Sequence, residues 1–269
     1  MPQVNNIGIK FGILDIPDGR KINKNYLIRT GGLGIIFTFL FSLILISIYE
    51  GNFYLLNNPI IYGPLLFGII GFWDDISNLS VKNKLFWQIL ISTFLFYRGL
   101  NFGNLYNISE YYFFREILKN FDLIFTIVWI VGITNAINWT DGLDGLAAGI
   151  SIIFSLSLMT ISLYQNDPNL VIYLIILIGS CIAFLKINFY PAKIIMGDNG
   201  SYFLGSFLSI ASISVLVDNT SPATILIPFL ILFIPITDMS LVIIRRITAG
   251  KSPFLPDKTH LHHKLLFKL

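Results

Sequence analysis

Eight long stretches of Leu, Ile, Phe and Val, each separated from the next by a short polar interval, set the pattern of this chain. They fall near residues 32–50, 58–73, 84–100, 121–139, 145–164, 170–188, 200–217 and 223–244. A bilayer core takes about 20 apolar residues of helix, so each run predicts one membrane span. The second run is short, and Pro228 and Pro235 are expected to bend or break the last. Apolar residues occupy every face of the runs instead of alternating with period two, which favours helices over a barrel. The predicted fold is all-α, a polytopic transmembrane helical bundle of about 8 spans. It forms a single integral-membrane domain over residues 1–269.

Composition agrees with the pattern. A chain with 55% hydrophobic and only 12% charged residues is not a soluble domain. The lone cysteine, Cys181, lies in an apolar run, which excludes a disulfide framework and a cysteine-based metal site. The first thirty residues contain no apolar core of secretory-signal length. Eight spans put both termini on one side with the loops near 74–84, 139–145, 189–199 and 245–269. Of the 18 Lys and Arg residues, only Arg98, Arg115 and Lys119 fall on the other side. That asymmetry makes the first side cytoplasmic.

The chemistry-bearing residues gather on that same side. "GFWDDISNLSVKNK" (71–84) carries Asp74, Asp75 and Lys84; "NAINWTDGLDG" (135–145) carries Asn135, Asn138, Asp141 and Asp144. "NFYPAKIIMGDNGS" (188–201) carries Asn188 and Asp198, and "DKTHLHHKL" (257–265) holds all three histidines, His260, His262 and His263. "DGRKINKNYLIRTGG" (18–32) joins them. Adjacent carboxylates repel unless a cation or donor is near, so Asp74 and Asp75 suit a base or a divalent cation, although interfacial charge is an equal reading of the pair alone. Asn135 and Asn138 stand three apart and face the same way in a helix, which capping does not explain. Polar groups at membrane depth are costly and mark sites. Asp198 opens the next span, where a turn and cap compete with a hard-cation ligand that bridges to phosphate. Imidazolium is a partner for diphosphate. Arg245 and Arg246 read mostly as topology anchors, and Asp238 within the last span is expected to pair with Arg245 or line a cavity. No Walker lysine loop or dinucleotide glycine fingerprint is present. The sum is one composite site at headgroup level, suited to a phosphate-bearing lipid meeting a soluble nucleotide.

"FWDDISNLSVKNKL", "NAINWTDGLDGLAAG", "NFYPAKIIMGDNGSYFLG" and "RRITAGKSPFLPDKTHLHHKL", preceded by "DIPDGRKINK…TGGLGI", resemble in order the motifs of the polyprenyl-phosphate N-acetylhexosamine-1-phosphate transferases. The resemblance runs from about Asp15 to Leu265. It implies a Mg²⁺-dependent enzyme, with Mn²⁺ as the alternative ion, in the bacterial inner membrane with its active site on the cytoplasmic face. Its substrates would be a UDP-N-acetylhexosamine and undecaprenyl phosphate, within membrane lipid, with UMP released and no nucleic-acid partner. Asp74 and Asp75 match the acidic pair that activates the lipid phosphate or attacks directly. Asp198 matches the metal-binding Asp, and Asn138 a residue that helps hold the metal. Asn135, Asp141, Asp144 and Asn188 match nucleotide-pocket positions. Lys84, His260, His262 and His263 match diphosphate and headgroup contacts, and Thr30, Gly31 and Gly32 the turn beside the site. "SPFLPDKTHLHH" looks more like the UDP-GlcNAc branch, which starts O-antigen, enterobacterial common antigen or teichoic acid linkage, than the muramoyl-pentapeptide branch, which remains the alternative. A transporter is the rival from another class, and whether the chain forms a homodimer stays open. Two departures stand out: "MPQVNNIGIKFGIL" is too short and polar for the helix that the family places there, and Asn23 replaces a usual His.

Overall fold

The computed structural model describes residues 8, 13–15, 27–102, 112–217, 233–248 and 250. Among them, eight α-helices fall on the eight predicted runs. They are α1 (Gly31–Glu50), α2 (Pro59–Ser77), α3 (Val81–Tyr97), α4 (Tyr112–Thr140), α5 (Leu146–Gln165), α6 (Pro168–Asn188), α7 (Asp198–Val217) and α8 (Phe233–Thr248). Local chemistry sets several of their starts. Asn58 accepts from the Ile60 N–H just before Pro59, and Asp167 accepts from the Leu170 N–H just before Pro168. Each pairs a capping side chain with a proline where no N–H is needed. Pro228 lies outside the described residues, and α8 runs through Pro235 to Thr248.

Among the described residues, five helices, α1, α2, α5, α6 and residues 119–140 of α4, are long and apolar enough to cross a membrane. α3 and α8 are shorter, at 17 and 16 residues, and α7 opens on the polar run Asp198–Asn199. The protein is a multi-pass helical membrane protein.

α7 is the axis of the bundle. Residues 199–213 are all buried, and α1, α2, α4 and α5 pack around them. Its serines fit there because each hydroxyl finds a partner: Ser206, Ser209 and Ser212 donate to carbonyls one turn back, and Trp129 of α4 donates to Ser212 at 2.9 Å. Small side chains let the neighbouring backbones close in without lipid between them. Phe39 of α1 stacks edge-on against Phe203 and Phe207.

Because successive helices reverse direction, the C-terminal ends of α2, α4 and α6 meet the N-terminal ends of α3, α5 and α7. One short element at this end was not expected from the sequence. Leu14–Asp15 (β1) pairs antiparallel with Leu27–Ile28 (β2), and the Ile195 N–H extends the ladder to the Ile28 carbonyl at 2.9 Å. Two-residue strands are too short to leave a periodic signal.

Candidate active site

The site is built around the first residue of α7. The Gly31 and Gly32 N–H groups bond the carbonyls of Ile195 and Met196, so the "TGG" turn is pinned to the "MGD" turn. Gly197 carries a φ of +81°, and a side chain there would meet the Arg29 carbonyl and the Asp75 carboxylate. Only glycine permits that turn. Gly71 of α2 has no Cβ to collide with the backbone of Asp198 and Asn199, so α2 reaches the start of α7 directly.

The paired aspartates then separate in role. Asp75 accepts the Asp198 N–H at 2.9 Å through one oxygen, and the Asn199 N–H at 3.0 Å and Asn199 Nδ2 at 2.7 Å through the other. Its side chain is wholly buried, with Arg29 Nη2 at 3.8 Å. Asp75 therefore caps α7 from another helix, a favourable place for a carboxylate at a helix N-terminus. Asp74 accepts the Leu79 N–H at 2.8 Å through Oδ1, while Oδ2 forms an ion pair with Lys84 Nζ. That pair clamps the end of α2 to the start of α3. Asp198 receives Asn138 Nδ2 at 2.7 Å and lies 3.9 Å from Arg29 Nη2.

Asn135 and Asn138 share a face of α4, as predicted, and are held in the same sense. Asn138 Nδ2 gives its two hydrogens to Asp198 and to Ser201 Oγ, at 2.7 and 2.8 Å. Asn135 Nδ2 gives its two to the Val131 carbonyl and to Gln88 Oε1, at 2.8 and 2.7 Å. Each is left with its oxygen.

The loop residues are mostly wall. Asn188 is buried and spent at both ends, accepting the Gly145 N–H and donating to the Ile194 carbonyl. Asp144 accepts the Ala192 N–H at 2.9 Å. Together they tie the 141–145 loop to the 189–197 segment. Asp141, half-buried, is the loop carboxylate facing the cluster. Burial above all pushes its pKa well above the usual carboxylate range, Asp198 pushes the same way, and Arg29 opposes them. A carboxyl so destabilised as an anion is one that an added cation would stabilise.

The residues fit a divalent cation. Among the described residues no three Asp, Glu, His or Cys side chains form a ready cage. Mg²⁺ does not require one, since it takes one or two carboxylates and completes its shell with water and substrate phosphate. Asn138 faces Asp198 through its Nδ2, and its oxygen, which has no partner among the described residues, is like the Asp198 carboxylate a hard donor.

His260, His262, His263 and Asn23 lie outside the described residues, as does the side chain of Asp238. Arg245 is exposed, in keeping with an anchor, and Arg246 has a packing role besides. It is buried, with its guanidinium 5.3 Å from the Trp139 ring centre, and so holds α8 on the end of α4. Sequence reasoning also missed Arg29, Asn199, Ser201 and Gln88. Gln88 did leave a signal, as a lone amide inside an apolar run. Arg29 did not, being one of many basic residues on that side.

A multi-pass bundle that gathers carboxylates, a lysine and two asparagines at one end of its helices defines a membrane protein with a polar candidate site at that end. Residues 58–216 match glycosyl transferase family 4. A probable undecaprenyl-phosphate N-acetylglucosaminyl 1-phosphate transferase of Bacillus subtilis is 36% identical over 271 residues, covering 98% of this chain and 73% of that protein. The decaprenyl-phosphate N-acetylglucosaminephosphotransferase of Mycobacterium leprae is 34% identical, covering 93% and 69%. A phospho-N-acetylmuramoyl-pentapeptide-transferase of Listeria monocytogenes is 32% identical, covering 96% and 82%. The chain belongs to glycosyl transferase family 4 and is a transferase.

Proposed function

We propose that this chain transfers N-acetylhexosamine-1-phosphate, specifically GlcNAc-1-phosphate, from a UDP-sugar to undecaprenyl phosphate. UMP leaves, and the lipid-diphosphate sugar starts a cell-envelope polysaccharide. The observation that carries this reading is the meeting, at one end of a membrane bundle, of the Asp74–Lys84 pair with Asp198 and Asn138. The first pair suits a phosphate held at lipid depth; the second suits the diphosphate of a soluble donor. The GlcNAc branch is favoured by the higher identity to the B. subtilis relative than to the Listeria one. By the charge asymmetry of the loops, the site faces the cytoplasm of a bacterial inner membrane.

Lys84 is shared between Asp74 and the incoming lipid phosphate, which fixes that phosphate beside Asp74. Asp74 takes its proton. An oxygen of the lipid phosphate forms the new bond to the sugar-bearing β-phosphorus, and the bond from that phosphorus to the bridging oxygen breaks. UMP departs with the bridging oxygen. Asp75 stays outside this exchange because both of its oxygens are committed to α7. That commitment also disfavours Asp75 as a covalent nucleophile. Asp198 and Asn138 would hold a Mg²⁺ ion, which would supply charge neutralisation on the diphosphate.

The test is UMP release from UDP-GlcNAc by the purified protein, with and without undecaprenyl phosphate and across other UDP-sugars. Release that needs both substrates supports the reading, and preference for UDP-N-acetylmuramoyl-pentapeptide would move the protein to the other branch. No release with any UDP-sugar would overturn it.

A further inference from the structure

One polar contact in the bundle is left half-made. Gln88 of α3 is wholly buried; its Oε1 accepts from Asn135 Nδ2 at 2.7 Å, and its Nε2 has no hydrogen-bond partner. An orphan buried amide N–H₂ is costly, so its retention needs a reason. Rotating the amide does not remove the problem. Asn135 Nδ2 also donates to the Val131 carbonyl, which only accepts, so the orientation of Asn135 is fixed and its nitrogen faces Gln88. Gln88 must then present oxygen and forgo its own donor.

The consequence falls on Asn135. With both N–H groups spent, it offers the site only Oδ1, which has no partner among the described residues. A lone amide oxygen repels phosphate oxygens and accepts from an O–H or N–H. Asn135 lies three residues before Asn138 on α4, and therefore about 4.5 Å further from the helix end that carries the Asn138–Asp198 contact. With the donor's diphosphate at the Asn138–Asp198 contact, the sugar bonded to it is the next group along and falls within reach of Asn135, less than one helical turn away.

Resting on the transferase reading, we infer that Gln88 is a specificity-determining positioning residue: it locks Asn135 as a pure acceptor for a hydroxyl or acetamido N–H of the donor's sugar. Without Gln88 the Asn135 amide loses its second anchor and turns, presenting a mixture of donor and acceptor to the sugar.

The full-length protein in lipid nanodiscs is titrated with UDP-GlcNAc and, separately, with UDP, in the presence of Mg²⁺. Wild type is compared with Gln88→Leu, Asn135→Ala and the double variant. Each single change is expected to weaken UDP-GlcNAc binding about ten-fold, the worth of one neutral hydrogen bond. The double variant is expected to lose no more than either single one, since both act through one contact. For Gln88→Leu, affinity for UDP and the Mg²⁺ midpoint stay unchanged. Gln88→Leu melts close to wild type, because removing the orphan donor offsets the Asn135 N–H it leaves unpaired; Gln88→Met gives the same comparison should leucine not fit.

A merely structural role would lower the melting temperature and weaken both ligands together. An equal loss for UDP, a shifted Mg²⁺ midpoint, or single losses that multiply in the double variant would each overturn the assignment. If wild type binds neither UDP-GlcNAc nor UDP, the transferase reading falls. If it binds both and Gln88→Leu changes neither, only the role of Gln88 falls.

Discussion

Asp74 and Asp75 are chain neighbours of identical chemistry, and their surroundings make them different residues. Asp75 is saturated by two backbone N–H groups and the Asn199 amide. Asp75→Asn replaces one accepting oxygen by a nitrogen that points at donors. The cap is broken at a cost of about 1–2 kcal/mol. The melting temperature in detergent should fall, with activity falling through displacement of Asp198. Asp74→Asn keeps the oxygen that meets the Leu79 N–H and loses only the charge facing Lys84, which is itself partly exposed. Its stability should change little while kcat collapses. Equal effects of the two substitutions on stability would refute the division. Asp198→Asn, which leaves a donor of similar shape but no charge, should lower cation-dependent turnover on the order of 100-fold without unfolding the protein. Unchanged turnover across a Mg²⁺ titration would remove Asp198 from the cation site.

At the scale of elements, the site depends on how closely α2 approaches α7. Gly71 lies against the backbone of Asp198 and Asn199, and a methyl group has no space there. Gly71→Ala should therefore push the start of α7 away from Asp75, costing about 1–3 kcal/mol. It should also reduce kcat, although the residue touches no substrate. Retained activity with an unchanged melting temperature would show that the helices can part freely. Such a close approach is invisible in a sequence, where Gly71 is one of 21 glycines. The helices themselves were legible, because long apolar runs have few other solutions in a bilayer. Asn135 and Asn138 were also legible, as polar residues out of place. What they hold was not: the partners Gln88 and Ser201 lie on other helices, 47 and 63 residues away along the chain. Asn188 shows the same gap: the resemblance gives it a place in the nucleotide pocket, while the structure adds that both ends of its amide join two loops.

For the whole molecule, the burial of α7 explains why a membrane protein carries so many polar groups at its axis. Serine hydroxyls satisfied within the helix allow close packing, and the carboxylates are reserved for its end. For the proposed reaction that end has to face the compartment that supplies a soluble donor, which makes orientation a test of the proposal. The charge asymmetry predicts that the α2–α3 turn is cytoplasmic and the far end of α3 is external. Cysteine scanning can read this directly, because Cys181, the only native cysteine, is buried and gives no background. Ser80→Cys lies beside the site and Tyr97→Cys at the opposite end of α3, and both positions are exposed. In intact cells a membrane-impermeant maleimide should label Tyr97→Cys and spare Ser80→Cys, and permeabilisation should make both reactive. Labelling of Ser80→Cys in sealed cells would put the site on the outer face. There it would meet no cytosolic nucleotide sugar, and neither the transfer reaction nor a sugar contact at Asn135 would survive that result.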